Sequence, residues 1–223
     1  MRNSKVATQE KYERCRKFFH GLYYLVVHLK NNQTNSAMAL TPSTMMPLGT
    51  QAPSFNLEDV ISGKKMTLEM VKGEKGLVVM FICAHCPYVK NLEDELALFA
   101  KKNSELGIGF VGIGSNDIVN YPEDNPDGLR RQAESCGFEF PYLIDLSQDV
   151  ARAYDAACTP DFFLFDKDLS CVYRGRFDSS TPGNDNPVDG IDLQNAIDAL
   201  LEGNGPVESQ LPSMGCNIKW KGT

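Results

Sequence analysis

The sequence predicts an α/β protein in which helices cover both faces of a sheet. Two continuous apolar runs, Leu77–Ile82 and Ile108–Ile113, have the length and composition of strands that are buried on both faces. Helical spacing of apolar residues follows each run, and the chain then returns as a hairpin and a last amphipathic helix, Ile191–Leu201. Strands that alternate with helices in this way pack in layers, with the sheet between the helices.

The other elements are predicted one by one along the chain. Apolar residues on either side of Ser62-Gly63 predict a hairpin or two short strands. Leu92, Leu96 and Phe99 recur at helical spacing, with acidic residues early and lysines late, so the charges of this helix match its dipole. The remaining predicted elements are a helix at Leu129–Cys136 that ends at Gly137, a strand at Tyr142–Ile144, a helix at Val150–Tyr154, and a hairpin of Phe162–Phe165 and Val172–Arg174.

Composition divides the chain into three parts. Residues 1–37 are basic, with a net charge of +5, whereas the remainder carries −12 and gives the whole chain its formal charge of −7. We interpret residues 1–37 as an extension, which is a targeting peptide, a surface helix or sequence upstream of the true start. Residues 48–203 form the predicted domain, and residues 204–223 form a tail that contains Gly and Pro. A body this acidic argues against nucleic-acid binding.

The cysteines indicate a reducing compartment. There are seven of them, unevenly spaced, which does not fit the disulfide framework of a small secreted domain. The N-terminal apolar run Leu22–Val27 is far shorter than the roughly 20 residues that span a bilayer. We therefore expect a cytoplasmic protein with no membrane span, or an organellar one if residues 1–37 are a targeting peptide.

The segment Cys83-Ala84-His85-Cys86 lies where the first buried strand ends and a helix begins. A cysteine at a helix N-terminus faces unpaired backbone N–H groups and the positive end of the dipole, and both lower its pKa. We therefore predict Cys83 as the nucleophile, more acidic and more exposed than Cys86. Cys86 is predicted to resolve the mixed disulfide. His85 either lowers the thiol pKa further when protonated or is a solvated side chain.

Two other interpretations of this cysteine pair stay open. Buried thiols can fill space at a strand end without reacting. A CxxC is also half of many zinc or iron–sulfur sites. Because the chain has no second CxxC and no paired His motif, we expect neither a metal nor another cofactor.

Three segments carry a resemblance to a known family. They are LGTQAPSFNLEDVISGKK from Leu48, CAHCPYVK from Cys83 and TPDFFLF from Thr159. Together they resemble the thioredoxin-like redoxin superfamily, in its peroxiredoxin-like (AhpC/TSA) branch. The resemblance implies a thioredoxin fold with a central mixed sheet, flanking helices and an N-terminal hairpin extension. It also implies that Pro160 is cis rather than an ordinary trans loop proline, and that Thr159 lends backbone groups to a bound thiol substrate.

The chain departs from the best-known members of that superfamily at two positions. Ile82 stands where a Trp usually precedes a thioredoxin CxxC, and Met80 stands where peroxiredoxins usually have Thr or Ser. The supporting arginine of peroxiredoxins is not assigned either, with Arg152 and Arg174 as loose candidates. These departures argue against a general disulfide reductase, and they argue more strongly against an efficient peroxidase.

Two further cysteines are candidates for an auxiliary role. Cys158 directly precedes Thr159 and is either an auxiliary thiol or a small apolar filler. Cys216 lies in a tail segment that also resembles peroxiredoxin-like relatives, so it is either a distant resolving thiol or part of a tail docked by Trp220. The other three cysteines, Cys15, Cys136 and Cys171, are expected to be inert packing residues.

These observations predict a thiol–disulfide oxidoreductase, an antioxidant redoxin that uses the Cys83–Cys86 dithiol. Its partners would be a disulfide or peroxide substrate and an external thiol reductant of the thioredoxin or glutathione type. One alternative is a thiol peroxidase in which Cys83 reacts with peroxide and Cys86 or Cys216 resolves. An alternative of another class is a redox-sensing or metal-binding module with the same fold.

Overall fold

The structure is a computed structural model, and it describes residues 40–222. Its strands are β1 (Leu40–Pro42), β2 (Asn56–Asp59), β3 (Lys65–Thr67), β4 (Gly76–Phe81), β5 (Ile108–Gly114), β6 (Tyr142–Ile144), β7 (Cys158–Thr159), β8 (Asp161–Asp166), β9 (Cys171–Gly175) and β10 (Met214–Asn217). Its helices are α1 (Leu68–Val71), α2 (Pro87–Ser104), α3 (Pro126–Cys136), α4 (Asp149–Ala153) and α5 (Ile191–Leu201), with a 3-10 turn at Pro122–Asp124.

Seven strands form a central mixed sheet in the order β3-β2-β6-β5-β4-β8-β9. Strands β4, β5 and β6 run parallel, and the other pairs are antiparallel. One face packs against α2, α3 and α5, and the opposite face packs against α1 and α4. The predicted thioredoxin fold, with its β2–β3 hairpin on the N-terminal side, is confirmed.

The buried strand β4 delivers the CxxC to the start of α2. All six residues of β4 are buried, because helices cover the sheet on both faces. Helix α2 begins at Pro87, a residue suited to the first helical position because it has no N–H to leave unpaired. This start is earlier than the apolar spacing indicated, so the acidic residues 93–95 lie beyond the first turn, and the prediction that they face the positive end of the dipole is wrong.

A second, three-stranded antiparallel sheet lies in the order β1-β10-β7. Its central strand comes from the C-terminal tail, and it places Cys216 opposite Leu40 on one side and Thr159 on the other. A Cβ added at Gly215 would lie 2.1 Å from the carbonyl oxygen of Thr159, so the close approach of β10 to β7 requires glycine. The sequence did not predict this strand.

Beyond β10, the tail continues along the same edge of the domain. The Ile218 N–H donates to the Ala157 carbonyl at 3.1 Å, and the Asp117 N–H donates to the Lys219 carbonyl at 2.8 Å. The Arg152 guanidinium lies over the Trp220 ring, 4.3 Å from its centroid. The tail is therefore docked through Trp220, which was one of the two interpretations of this segment, and it also contributes strand β10.

Two statements about the N-terminal part of the chain stay predictions. The interpretation of residues 1–37, and the packing role of Cys15, fall outside the described residues. Within residues 40–222, no helix combines the length and the apolar character needed to cross a membrane.

Candidate active site

Both cysteines of the CxxC lie at the junction between β4 and α2, as predicted. Cys86 is the residue that caps the N-terminus of α2, with an extended backbone, and its carbonyl accepts the first helical hydrogen bond from Lys90 at 3.0 Å. Cys83 lies before the helix, three residues earlier than Cys86 and two residues after the end of β4. The sequence pattern was sufficient for this placement, because a continuous apolar strand followed by Pro marks the junction locally.

The prediction that Cys83 is the more exposed thiol is wrong. Cys83 and Cys86 are both 0% exposed. The Thr159–Pro160 segment covers them, and its peptide bond is cis, as predicted. The Thr159 hydroxyl lies 3.3 Å from the Cys83 sulfur, and the Cys86 thiol donates to the Thr159 carbonyl at 3.2 Å. Thr159 therefore contacts the pair through its side chain as well as its backbone.

Cys216 brings a third sulfur to the pair. Its Sγ lies 3.0 Å from the Sγ of Cys86, and its side chain is buried. Cys158 behaves differently, because side chains alternate along a strand and its thiol donates to the Pro160 carbonyl at 3.5 Å. The structure thus places Cys216, and not Cys158, against the CxxC.

The acidity of the three thiols does not follow the predicted order. Burial raises the pKa of Cys83, and hydrogen bonding with Cys86 and the nearby Asp124 carboxylate act in the same direction. Hydrogen bonding with Cys216, and then with Cys83, lowers the pKa of Cys86. The hydrogen bond to Cys86 and burial raise the pKa of Cys216. Cys86 is the middle sulfur of the cluster, so its titration is linked to that of both other thiols.

His85 belongs to a pair that the sequence analysis did not find. Its Nδ1 lies 2.5 Å from Oδ2 of Asp124, and its ring stacks on Tyr121 at 5.2 Å between centroids. The other carboxylate oxygen of Asp124 accepts the backbone N–H groups of Ala84 at 2.8 Å and His85 at 3.1 Å. Asn116 donates to Oδ2 at 2.8 Å. The local clue was the polar loop after β5, which follows the carboxyl end of a parallel strand, but nothing in it distinguishes Asp124 from its neighbours.

The Asp124 contact determines what the His85 ring can do. A carboxylate accepts from the N–H at Nδ1, so the lone pair of the neutral ring is at Nε2. Nε2 is buried and has no hydrogen-bond partner among residues 40–222. The Cys83 sulfur, one ring nitrogen of His85 and one carboxylate oxygen of Asp124 all lie within 4.8 Å of one another. The imidazole therefore lies near Cys83 without a hydrogen bond to it, and a proton transfer from Cys83 to Nε2 requires the two groups to approach.

The same three groups offer ligand atoms of the kind that bind a metal. The oxygens of Asp124 already accept four hydrogen bonds, two at each atom. A metal would have to displace some of them. The geometry therefore fits a carboxylate that orients His85 better than one that coordinates an ion.

Comparison with known proteins places this fold and site in a family. Residues 48–174, more than half of the chain, match the AhpC/TSA family. The chain belongs to the AhpC/TSA family. The matched AhpC/TSA segment contains the CxxC, Asp124 and the Thr159–Pro160 peptide, and it ends before β10 and Cys216.

Two solved structures cover nearly the whole AhpC/TSA domain. An uncharacterized conserved protein from Geobacillus kaustophilus is 52% identical, with a TM-score of 0.82, and the match covers 84% of this chain and 99% of that one. A hypothetical protein from Sinorhizobium meliloti 1021 is 44% identical, with a TM-score of 0.80, and the match covers 82% and 100% of the two chains.

A relative with a named activity is more distant. The thiol-disulfide oxidoreductase ResA from Bacillus subtilis is 29% identical over 131 residues. The match covers 56% of this chain and 64% of the relative, so this chain spans less than two thirds of the relative's own length.

The two arginines considered for a peroxiredoxin role make other contacts in this AhpC/TSA chain. Arg174 is fully buried, and its Nη2 donates to the Thr44 hydroxyl at 2.8 Å, to the Asp155 carbonyl at 2.9 Å and to Asp161 at 3.3 Å. Arg152 lies over Trp220. Arg174 therefore makes buried polar contacts, and Arg152 packs against Trp220.

Proposed function

We propose that this protein is a thiol–disulfide oxidoreductase whose exchanging pair is Cys83 and Cys86. The observation that carries the proposal is the arrangement around Cys83, whose sulfur lies 3.3 Å from the Thr159 hydroxyl and near an imidazole that Asp124 orients. Burial raises the pKa of Cys83, so the thiol needs a base before it can attack. His85 supplies the base, with its free lone pair at Nε2.

The exchange proceeds in two steps that conserve atoms and electrons. His85 accepts the Cys83 proton, and the thiolate attacks one sulfur of a substrate disulfide, which releases the other half of the substrate as a thiolate. Cys86 then attacks the Cys83 sulfur of the mixed disulfide. The second substrate thiol leaves, and the Cys83–Cys86 disulfide remains. The substrate disulfide is reduced, and the protein dithiol is oxidised.

The distant relative supports this choice of chemistry, because ResA is named a thiol-disulfide oxidoreductase. The proposal includes an external thiol of the thioredoxin or glutathione type, which returns the pair to the dithiol. It also keeps the cytoplasm as the location, since reductants there would maintain the dithiol.

The test uses a variant that cannot resolve the intermediate. Reduced Cys86→Ser protein, treated with oxidised glutathione, is expected to accumulate one glutathione on Cys83, found by mass spectrometry of the intact protein and its peptides. The unmodified protein should release the glutathione and form a disulfide instead. Cys158→Ser is the matched control, because it removes a buried thiol next to Thr159 and should behave like the unmodified protein. If Cys83 of the Cys86→Ser variant stays unmodified, the proposed function is wrong.

Peroxide reduction at Cys83 is the second candidate, and one contact favours it. The Thr159 hydroxyl lies 3.3 Å from the Cys83 sulfur, so a hydroxyl is present beside this thiol although residue 80 is Met. Arg174 is engaged elsewhere, so fewer donors are available to polarise a peroxide, and we expect slow peroxide consumption. Fast turnover that survives Cys86→Ser but is lost in Cys216→Ser would replace disulfide exchange with a peroxidase mechanism.

A further inference from the structure

Cys216 reaches the CxxC from a part of the chain outside the matched family segment. Its sulfur lies 3.0 Å from that of Cys86, 130 residues earlier in the sequence. A disulfide bond is about 2.05 Å long. The two sulfurs therefore need to approach by only about 1 Å to form a covalent bond.

The position of Cys216 is determined by the strand that carries it. Strand β10 is hydrogen-bonded on both sides, to β1 and to β7, and Cys216 is the residue opposite Thr159. Gly215 lets β10 approach the Thr159 carbonyl, since a Cβ there would lie 2.1 Å from its oxygen. The pairing of β10 with its two neighbouring strands thus holds Cys216 against Cys86.

We propose that Cys216 is a third exchanging thiol, which converts the Cys83–Cys86 disulfide into a Cys86–Cys216 disulfide. The inference rests on the proposed function, because that function generates the starting disulfide. The Cys216 thiol gives up its proton as its sulfur attacks the Cys86 sulfur, the Cys83–Cys86 bond breaks, and the Cys83 thiolate that leaves takes up one proton, so the number of protons is unchanged. One disulfide is consumed and one is formed, so no outside oxidant or reductant takes part.

Cys86 is the sulfur that both disulfides share. It contacts Cys216 at 3.0 Å and forms a hydrogen bond with Cys83, so both partner sulfurs lie next to it. The product returns Cys83 to the thiol form beside His85. It also links β10 covalently to the start of α2, over the buried pair.

The digestion pattern of this chain makes the exchange directly measurable. Trypsin releases residues 76–90, which contain Cys83 and Cys86, and residues 177–219, in which Cys216 is the only cysteine. The full chain is oxidised with oxidised glutathione, its remaining thiols are blocked with N-ethylmaleimide, and the peptides are analysed by mass spectrometry. We expect the two peptides to be cross-linked, with the maleimide on Cys83.

Two variants separate failure of this inference from failure of the proposed function. Cys216→Ser is expected to lose the cross-linked peptide and to keep an internal disulfide within residues 76–90. If the unmodified protein also shows only that internal disulfide, the third-thiol inference is wrong and the proposed function stands. If Cys216→Ser forms no disulfide in residues 76–90, the proposed function itself is wrong.

A third variant keeps every sulfur and changes only the approach of the strand. Gly215→Ala is expected to lower the yield of the cross-linked peptide and to leave the internal disulfide, because the new Cβ pushes β10 away from Thr159. Cys158→Ser should give the same yield as the unmodified protein. An undiminished cross-link in Gly215→Ala would contradict the role of the strand in presenting Cys216.

Discussion

Cys83 is a buried thiol, and burial raises its pKa. Near it lies the imidazole of His85, which the Asp124 carboxylate orients. Asp124 accepts the N–H at Nδ1 of His85 and also holds the backbone of Ala84 and His85. It therefore fixes both the tautomer of the ring and its position. Four hydrogen bonds thus hold the Asp124 carboxylate in place near the shielded thiol.

Replacing Asp124 by Asn tests this arrangement. An amide that turns its NH₂ group toward Nδ1 favours the other tautomer and removes the base from Nε2, so the rate of disulfide exchange should fall by about 10²-fold. The measurement is kcat/KM with oxidised glutathione across a pH series, where the variant should recover activity at alkaline pH as Cys83 ionises without help. Asp127→Asn is the control, because that carboxylate is exposed and pairs with Arg130. Equal rates for both variants would contradict the role of Asp124.

Among the elements, β5 shows how closely backbones approach at the end of the sheet opposite to the candidate site. Gly109 lies in a glycine-containing string that the sequence places inside the strand. A Cβ at this position would lie 2.2 Å from the Val71 carbonyl oxygen and 2.5 Å from the Gly73 nitrogen. The glycine thus permits the loop after α1 to pack directly on β5, whose carboxyl end leads into the loop with Asp124.

Gly109→Ala is expected to destabilise the protein by about 2 kcal/mol, because the backbone of the α1 loop has to move. For a chain of this size, that corresponds to a decrease in Tm of roughly 4–8 °C. Gly205→Ala is the control, since nothing lies within 4 Å of the added Cβ. Thermal unfolding followed by circular dichroism measures both, and an unchanged Tm for Gly109→Ala would contradict the packing described for β5.

For the whole molecule, local sequence patterns were sufficient to predict some parts of the site and insufficient to predict others. The strand before Cys83, the helix after Cys86 and the Thr159–Pro160 peptide each follow from a short pattern or from the family resemblance. The contact of Asp124 with His85 depends on two loops that meet only in the folded chain. Strand β10 is four residues long, without apolar alternation, and forms because β1 and β7 present edges to it.

The wrong prediction of an exposed Cys83 has the same physical origin. A helix N-terminus favours an accessible thiolate only where no other segment covers it. Here the cis Thr159–Pro160 peptide lies over both thiols, and β10 brings Cys216 against Cys86. Coverage of this kind comes from residues far away in the sequence, so the pattern around the CxxC could not indicate it.

Oxidation should stabilise the folded protein, because a Cys86–Cys216 disulfide closes a loop of about 130 residues. In the chain-entropy description, a disulfide that closes such a long loop contributes about 5 kcal/mol, whereas the short Cys83–Cys86 ring contributes about 2 kcal/mol. The Tm gained on oxidation should thus be larger in the unmodified protein than in Cys216→Ser, by roughly 6–12 °C. Calorimetry of each protein in both redox states measures the difference. Equal gains would contradict a Cys86–Cys216 disulfide in the oxidised form.

The separation of 130 residues between Cys86 and Cys216 also has a consequence during synthesis. A ribosome adds about 5–20 residues per second, so Cys216 is incorporated on the order of ten seconds after Cys86. Throughout that interval the nascent chain carries the CxxC without the strand that later covers it. The Cys86–Cys216 contact can therefore form only after β10 has been synthesised.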